Sequence, residues 1–299
     1  MKGVILDCNR TSGEGLIRGE DGNRYEFAAS EFKSATAPKQ GLDVDFEVND
    51  GRANAVYALA QKYYGNITGP AVPVRKPREE PEQGGIRRLD FKAPAEQASV
   101  TLAFKIPSFS PAALDGNTDA ASNDVLALTM LDAVLSGYDG ARLERALTQP
   151  EDHVADSAGA SCGLAARGPQ MCVLSGVPST GKTAAQVEAA LRAQVALIAR
   201  EGVQEAELQR VKNQWIAGEV FKQDSVFNQA RILGTNWAIG FPPDTDEKLI
   251  ARLRSVTAAQ VKDVAARYFG DDALTVATLL PQPVDRTRKP RAAPVGLRH

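Results

Sequence analysis

The sequence predicts two domains of different class. A small all-β barrel comes first, and a larger α+β domain follows, its antiparallel sheet covered by helices. Three observations carry this reading. Over residues 1–62, short β-prone runs (Val4-Ile5-Leu6, Gly15-Leu16-Ile17, Tyr25-Glu26-Phe27, Val44 to Val48) alternate with the turn signals Asp21-Gly22-Asn23 and Asn49-Asp50-Gly51. Residues 63–85 carry Pro70, Pro73, Pro77 and Pro81 and read as an extended linker. Over 86–283, period-two and period-3.6 apolar patterns succeed one another. The basic tail, 284–299 (Arg286, Arg288, Lys289, Arg291, Arg298), reads as a disordered end.

Within the second domain, Val100, Leu102, Phe104 and Ile106 alternate with smaller or polar residues, the mark of a half-buried strand. Residues 107–121 read as a polar loop. Asn123 or Asp124 caps a helix that turns Val125, Leu128, Leu131 and Leu135 inward and closes at Gly137. Runs at 154–166 and 170–177 suggest an antiparallel hairpin through Arg167-Gly168. A helix follows with Val187, Leu191, Val195 and Ile198 on one face. Another is expected from Glu205 to about Gly234, with Leu208, Val211, Trp215 and Phe221 on its apolar side. Thr257 and Gln260 have capping-box spacing for a helix through Val261, Val264 and Tyr268. Leu274-Thr275-Val276-Ala277 reads as the closing strand.

Charge excludes some functions. Lys+Arg 35 against Asp+Glu 37 leaves −2, which gives no global attraction to nucleic acid or anionic membrane. No stretch approaches a membrane span and no apolar leader opens the chain, so a cytoplasmic protein is expected. Cys8, Cys162 and Cys172 form no C-x-x-C pair; the latter two fall on neighbouring strands and read as buried thiols.

One motif carries chemistry. Gly176, Gly181, Lys182 and Thr183 fit G-x-x-x-x-G-K-[ST], the loop that cradles nucleotide phosphates between a strand and a helix N-terminus. The competing reading is an ordinary strand, turn and capped helix, with Lys182 a solvated surface charge. A nucleotide hydrolase also needs an acid ending a neighbouring strand to organise Mg²⁺. The apolar run Leu128 to Asp132, which ends in an acid, lies inside a helical pattern. The ordinary turn is therefore expected, with no cofactor, metal or catalytic residue assigned.

Two resemblances extend this reading. KGVILDCNRTSGEGLIRGEDGNRYEF and the later GLDVDFEVNDGRANAVYA resemble a cold-shock domain, an OB-type barrel. Where that family stacks aromatic residues on single-stranded bases, this chain has Glu14, Leu16, Glu26 and Ala28. Nucleic-acid binding is thus disfavoured. LAFKIPS, LDAVLSGYDGARLERAL, GVQEAELQRVKNQ, SVTAAQVKDVAARYF and LTVATLLPQP resemble the C-terminal, non-zinc domain of the pitrilysin/insulinase family of zinc peptidases, over about 86–283. That resemblance implies an antiparallel sheet covered by helices, one half of a chamber that cuts unfolded peptides. It also implies a turn, and no nucleotide, at 176–183. The family's zinc site needs H-x-x-E-H, and the chain's two histidines, His153 and His299, cannot supply it. The family's carbonyl-binding Arg and Tyr correspond to Thr148 and Ala155, with Arg142 and Arg145 nearby as helix-surface charges. The expectation is a non-catalytic half that binds a zinc-bearing peptidase subunit, a second copy of itself or extended peptides. The alternatives are a phosphate-loop nucleotide-binding protein and a single-stranded nucleic-acid binder.

Overall fold

The computed structural model describes residues 2–9, 14–28, 40–45, 61–65, 67, 81–115, 119–166, 168–222 and 225–283. The chain divides into two compact units, Met1–Lys76 and Pro77–His299. No helix among the described residues is long and apolar enough to cross a membrane.

The first unit holds β1 (Lys2–Asn9), β2 (Glu14–Gly19), β3 (Arg24–Ala28) and β4 (Asp43–Asp45) in an antiparallel sheet of order β3-β2-β1-β4. Ile5 and Ile17 pair directly across β1 and β2, and both are buried. Phe27 lies over Gly15, where an added Cβ would fall 2.4 Å from the ring. That glycine is what lets the ring reach the strand. The sheet is open among the described residues, with β3 and β4 at its edges. Of the segment expected to close a barrel, 41–58, β4 is described and residues 46–58 lie outside the described residues. Glu14 faces Ala28 and Leu16 faces Glu26 across the β2–β3 ladder, so the four positions expected to stack bases share one face.

The second unit is one sheet with helices. Its elements are β5 (Arg87–Pro94), β6 (Ser99–Ile106), α1 (Ala120–Ser136), β7 (Ala155–Cys162), β8 (Gln170–Pro178), α2 (Ala184–Glu201), α3 (Glu205–Lys222), α4 (Val226–Ile239), α5 (Thr245–Arg254), α6 (Ala258–Tyr268) and β9 (Leu274–Gln282). Strand order is β5-β9-β6-β8-β7. The core is what the periodicity specified: Val100, Leu102, Phe104 and Ile106 of β6, Leu174 of β8 and Val276 of β9 meet Val125, Leu128, Leu131, Leu135, Val187, Leu191, Val261 and Val264 from the helices.

Several expectations need correction. The sheet is mixed, because β5 runs parallel to β9. β5 escaped notice because it carries no alternation; both of its faces are largely exposed, Phe91 at 61%. Asp119 caps α1, accepting from Ser122 N at 2.5 Å, and Ser122 is buried by a further bond from Ser110 N. The 107–121 loop buries Phe109, Ala113 and Leu114 around a short 3₁₀ turn. The long helix expected from Glu205 breaks at Lys222, and Ser225 caps α4 by accepting from Asn228 N. α4 buries no residue: Phe227 is 76% and Trp237 81% exposed, while Phe221 on α3 is 72% exposed rather than packed. Gln83 and Gly85, expected in a solvated linker, bond Leu274 O and Asp272 respectively. The basic tail and His299 lie outside the described residues.

Candidate functional site

The turn between β8 and α2 is built by close packing and local capping. Gly176 lets α2 settle on the sheet; a Cβ there would meet Val187 Cγ1 at 2.6 Å and Ser157 O at 3.1 Å. Ser179, buried, donates to His153 O at 2.6 Å. Gly181 takes φ +80°, the left-handed region that glycine tolerates best. Thr183 and Gln186 form a reciprocal capping box: Gln186 N donates to Thr183 Oγ1, and Thr183 N to Gln186 Oε1 at 2.8 Å. Lys182 N donates to Ser179 O, and Lys182 Nζ pairs with Asp152 at 2.7 Å, holding that carboxyl below its ordinary range. Lys182 is therefore an ion-paired side chain, 24% exposed, and not the freely solvated charge expected. Of the donors that a phosphate would use, the Ser179, Lys182 and Thr183 N–H groups and the Lys182 ammonium already have partners. Both strands flanking β8 are antiparallel to it. The turn thus lacks the parallel-sheet crevice in which doubly wound folds bind ligands.

A second cluster lies between a π-helical turn (Glu144–Thr148), α2 and α3. An open cleft of about 650 Å³ is lined by Arg142, Arg145, Gln194, Gln204, Glu207 and Arg210 among others. Arg142 grips Glu207 with two bonds, Nε to Oε1 at 3.0 Å and Nη2 to Oε2 at 2.6 Å. That grip holds the Glu207 carboxyl below the usual range, against the opposing effect of its burial. At 16% side-chain exposure Arg142 is a clamp between segments, not the solvated surface charge expected from sequence. Arg145 stands 3.9 Å from the same carboxylate. Arg210 donates to Tyr138 OH and lies over its ring.

The third cluster corrects the sequence reading of Cys162 and Cys172 as buried thiols. Cys162 and Cys172, directly opposed on β7 and β8, are joined as a disulfide. β7 is a sheet edge, and α1 covers two of its outward amides. Ala160 N donates to Ser136 Oγ at 2.9 Å, and Cys162 N to Asp132 Oδ2 at 3.3 Å. Asp132 Oδ1 is buried with no hydrogen-bond partner. Burial pushes this carboxyl up to about 6, with the Cys162 N–H opposing. A signal was present: in a hairpin turning at 167–168, residues 162 and 172 fall opposite one another. Two free thiols are an unstable reading of such a pair outside a reducing compartment.

His153 Nδ1 lies 3.2 Å from Pro150 O and its Nε2 3.6 Å from Asp156. No group of three or more His, Cys, Asp or Glu among the described residues is arranged to hold a metal ion.

With this geometry in hand, the family model described as "Peptidase M16 inactive domain" matches residues 50–215, more than half of the chain. The chain belongs to that family. A search of curated proteins gives no match. Among solved structures, a protease from Helicobacter pylori is similar at 18% identity and TM-score 0.66, over 78% of this chain and 53% of that one. A peptidase M16 inactive domain from Pseudomonas fluorescens is similar at 20% identity and TM-score 0.55, over 77% and 51%. The periplasmic protease PqqL from Escherichia coli gives 16% identity and TM-score 0.56, over 77% and 24%. At such identities the likeness concerns the fold. This M16 chain spans about half the length of the first two structures. The places where the pitrilysin resemblance implies a carbonyl-binding pair are both engaged: Thr148 Oγ1 donates to Glu144 O at 2.9 Å, and Ala155 is fully buried.

Proposed function

We propose that this M16 inactive-domain chain is a non-catalytic peptidase half that works by binding, either to a zinc-bearing peptidase subunit, to a second copy of itself or to extended peptides. The observation that carries this reading is the pair Thr148 and Ala155. A hydroxyl donating to its own helix and a buried methyl offer no guanidinium or phenol to a substrate oxygen. The two sheet edges support the peptide-binding arm. α1 side chains take up two amides of β7, those of Ala160 and Cys162, whereas β5 has β9 as its one strand partner among the described residues and exposes Leu89 and Phe91. Extended peptides add to an edge of that second kind. We read Gly176, Gly181, Lys182 and Thr183 as a structural turn that binds no phosphate, and residues 1–62 as a cold-shock-like OB barrel without base-stacking residues. The domain limits 1–62, 63–85, 86–283 and 284–299 belong to the same proposal, as does a cytoplasmic location. A disulfide in that compartment is an exchanging bond and not a static one.

The test incubates the pure chain with Zn²⁺ and an unstructured peptide. No cleavage is expected, and cleavage overturns the reading. Fluorescence anisotropy of a labelled extended peptide then reads binding; Phe91→Lys is expected to weaken it, and equal affinity removes the β5 edge from the proposal. Mg·ATP is expected to leave the melting temperature unchanged, whereas a rise at millimolar nucleotide would restore the phosphate-loop alternative.

A further inference from the structure

Helix α4 is patterned the wrong way round for a helix that serves only its own domain. Val226, Ala230, Leu233 and Trp237 recur at spacings of four, three and four. At 3.6 residues per turn they fall within about 60° of one another, a single stripe along the helix. All four are exposed, Val226 and Trp237 at 81%, and Phe227 and Gly234 lie exposed along one side of the stripe. The other side of α4 faces the domain. Asn228, Ile232, Asn236 and Ile239 are half-buried there, Asn236 donates to Asp246, and Ile239 packs on the core. A surface helix ordinarily keeps its apolar side on the core and its charges in water. The one charged residue of α4, Arg231, lies about 130° round the helix from the centre of the stripe.

We propose that this stripe is the seam of a homodimer, in which α4 packs antiparallel against α4 of a second copy about a two-fold axis. The seam gives an interface to the self-association named under the proposed function, and it rests on that reading. Its occupant follows from the spacing, because four, three and four read the same in both directions. With the two-fold axis crossing the helix between residues 231 and 232, position 226 meets 237 of the second copy, and 230 meets 233. Each contact sets a smaller side chain against a larger one, Val226 against Trp237 and Ala230 against Leu233, which lets the facing layers interdigitate. No like charges oppose one another, since the stripe carries none. An isologous contact requires such a palindrome, whereas a different protein imposes no such symmetry. A lipid surface is disfavoured. Interfacial helices set their apolar side against a strongly basic polar face, and here the polar side carries Arg231 alone and turns partly onto its own domain. Two aromatic and two aliphatic side chains from each copy bury on the order of 1,000 Å² in all, the low end of specific interfaces. Association in the micromolar range is therefore expected.

The experiment is sedimentation velocity of the full chain, in a Cys8→Ala background to silence the free thiol, from about 1 to about 200 µM. The parent is expected to pass from monomer to dimer across that range. Trp237 emission is expected to move to shorter wavelength over the same concentrations, as its ring leaves water. Ala230→Glu and Leu233→Lys each set a charge against an apolar side chain, and each alone is expected to weaken association about tenfold. Mixed in equal amounts, the two variants are expected to recover the dimer. The antiparallel register places the new carboxylate of one copy against the new ammonium of the other and keeps one Ala230–Leu233 contact intact.

A parent chain that stays monomeric at the highest concentration overturns the proposal, and that readout needs no variant. Association that both variants leave unchanged overturns it as well. A mixture no stronger than its components overturns the antiparallel register and the seam with it. Vesicles of phosphatidylcholine and phosphatidylglycerol make the last arm: uptake of a chain that forms no dimer in solution replaces the second copy with a lipid surface. The non-catalytic reading fails by a different result, cleavage in the presence of Zn²⁺. A monomer that cleaves nothing and still binds the labelled peptide loses the α4 seam alone.

Discussion

The two ends of strand β8 teach opposite lessons. At one end lies the turn into α2, where the sequence displays a well-known phosphate motif. There the polar groups have partners close at hand: Thr183 with Gln186, Lys182 with Asp152, Ser179 with His153 O. At the other end no motif stands out, and there a buried carboxylate oxygen has no partner beside a disulfide. A pattern of residue types marks what a turn resembles; an unsatisfied buried group shows up only once the fold is known.

The largest effect that would break this contrast lies in the pH dependence of stability. The Asp132 carboxyl moves from 3.8 to about 6 on folding. Between those values the folded chain holds a proton that the unfolded chain has released. Stability therefore falls as pH rises from about 4 to about 6 and returns on acidification, by up to roughly 3 kcal/mol. Asp124 and Glu207, depressed by Arg267 and Arg142 respectively, act with the opposite sign. Their contribution is present above the ordinary carboxylate range and is lost as pH falls through their lower values. Urea denaturation across pH 4–7 is expected to show the first window in the parent chain and not in Asp132→Asn; an identical slope in both removes the orphan carboxyl from the account.

The remaining predictions probe the other end of β8. Gly176→Ala is expected to cost about 2 kcal/mol, since the new methyl must displace either Val187 or the Ser157 carbonyl; a neutral melt would mean that α2 rides loosely on the sheet. Thr183→Ala removes one arm of the capping box and is expected to cost about 1 kcal/mol. Lys182→Ala should cost less than about 1 kcal/mol, because its partner Asp152 is 90% exposed. If the lysine substitution proved the costlier of the two, the turn would have to be reconsidered as a charged site.

Much of the core was legible in the sequence, and the reasons are local. β6 alternates, α2 and α6 open with Thr-x-x-Gln boxes, and β9 reads as a β-branched run; each element carries its own signal. β5 does not, since its place comes from pairing with a strand nearly two hundred residues away and it buries almost nothing. The break between α3 and α4 was hidden because both halves continue a helical composition, and Ser225 decides the matter by capping. Arg142 looked like a surface charge because its partner Glu207 lies 65 positions further on. The disulfide could have been read from the register of the expected hairpin, whereas Asp132 depended on which helix covers the edge of β7, a fact that only tertiary structure supplies.

The chain has two tryptophans. Trp215 packs partly against the core, while Trp237 sits 81% exposed on a helix with no fully buried residue. Emission from Trp237 reports water in the native state, and a helix this exposed is expected to unwind at lower cost than the core. Only Trp215 senses loss of the core, so a fluorescence melt of the parent chain mixes a local event with the global one, and Trp237→Phe would separate them.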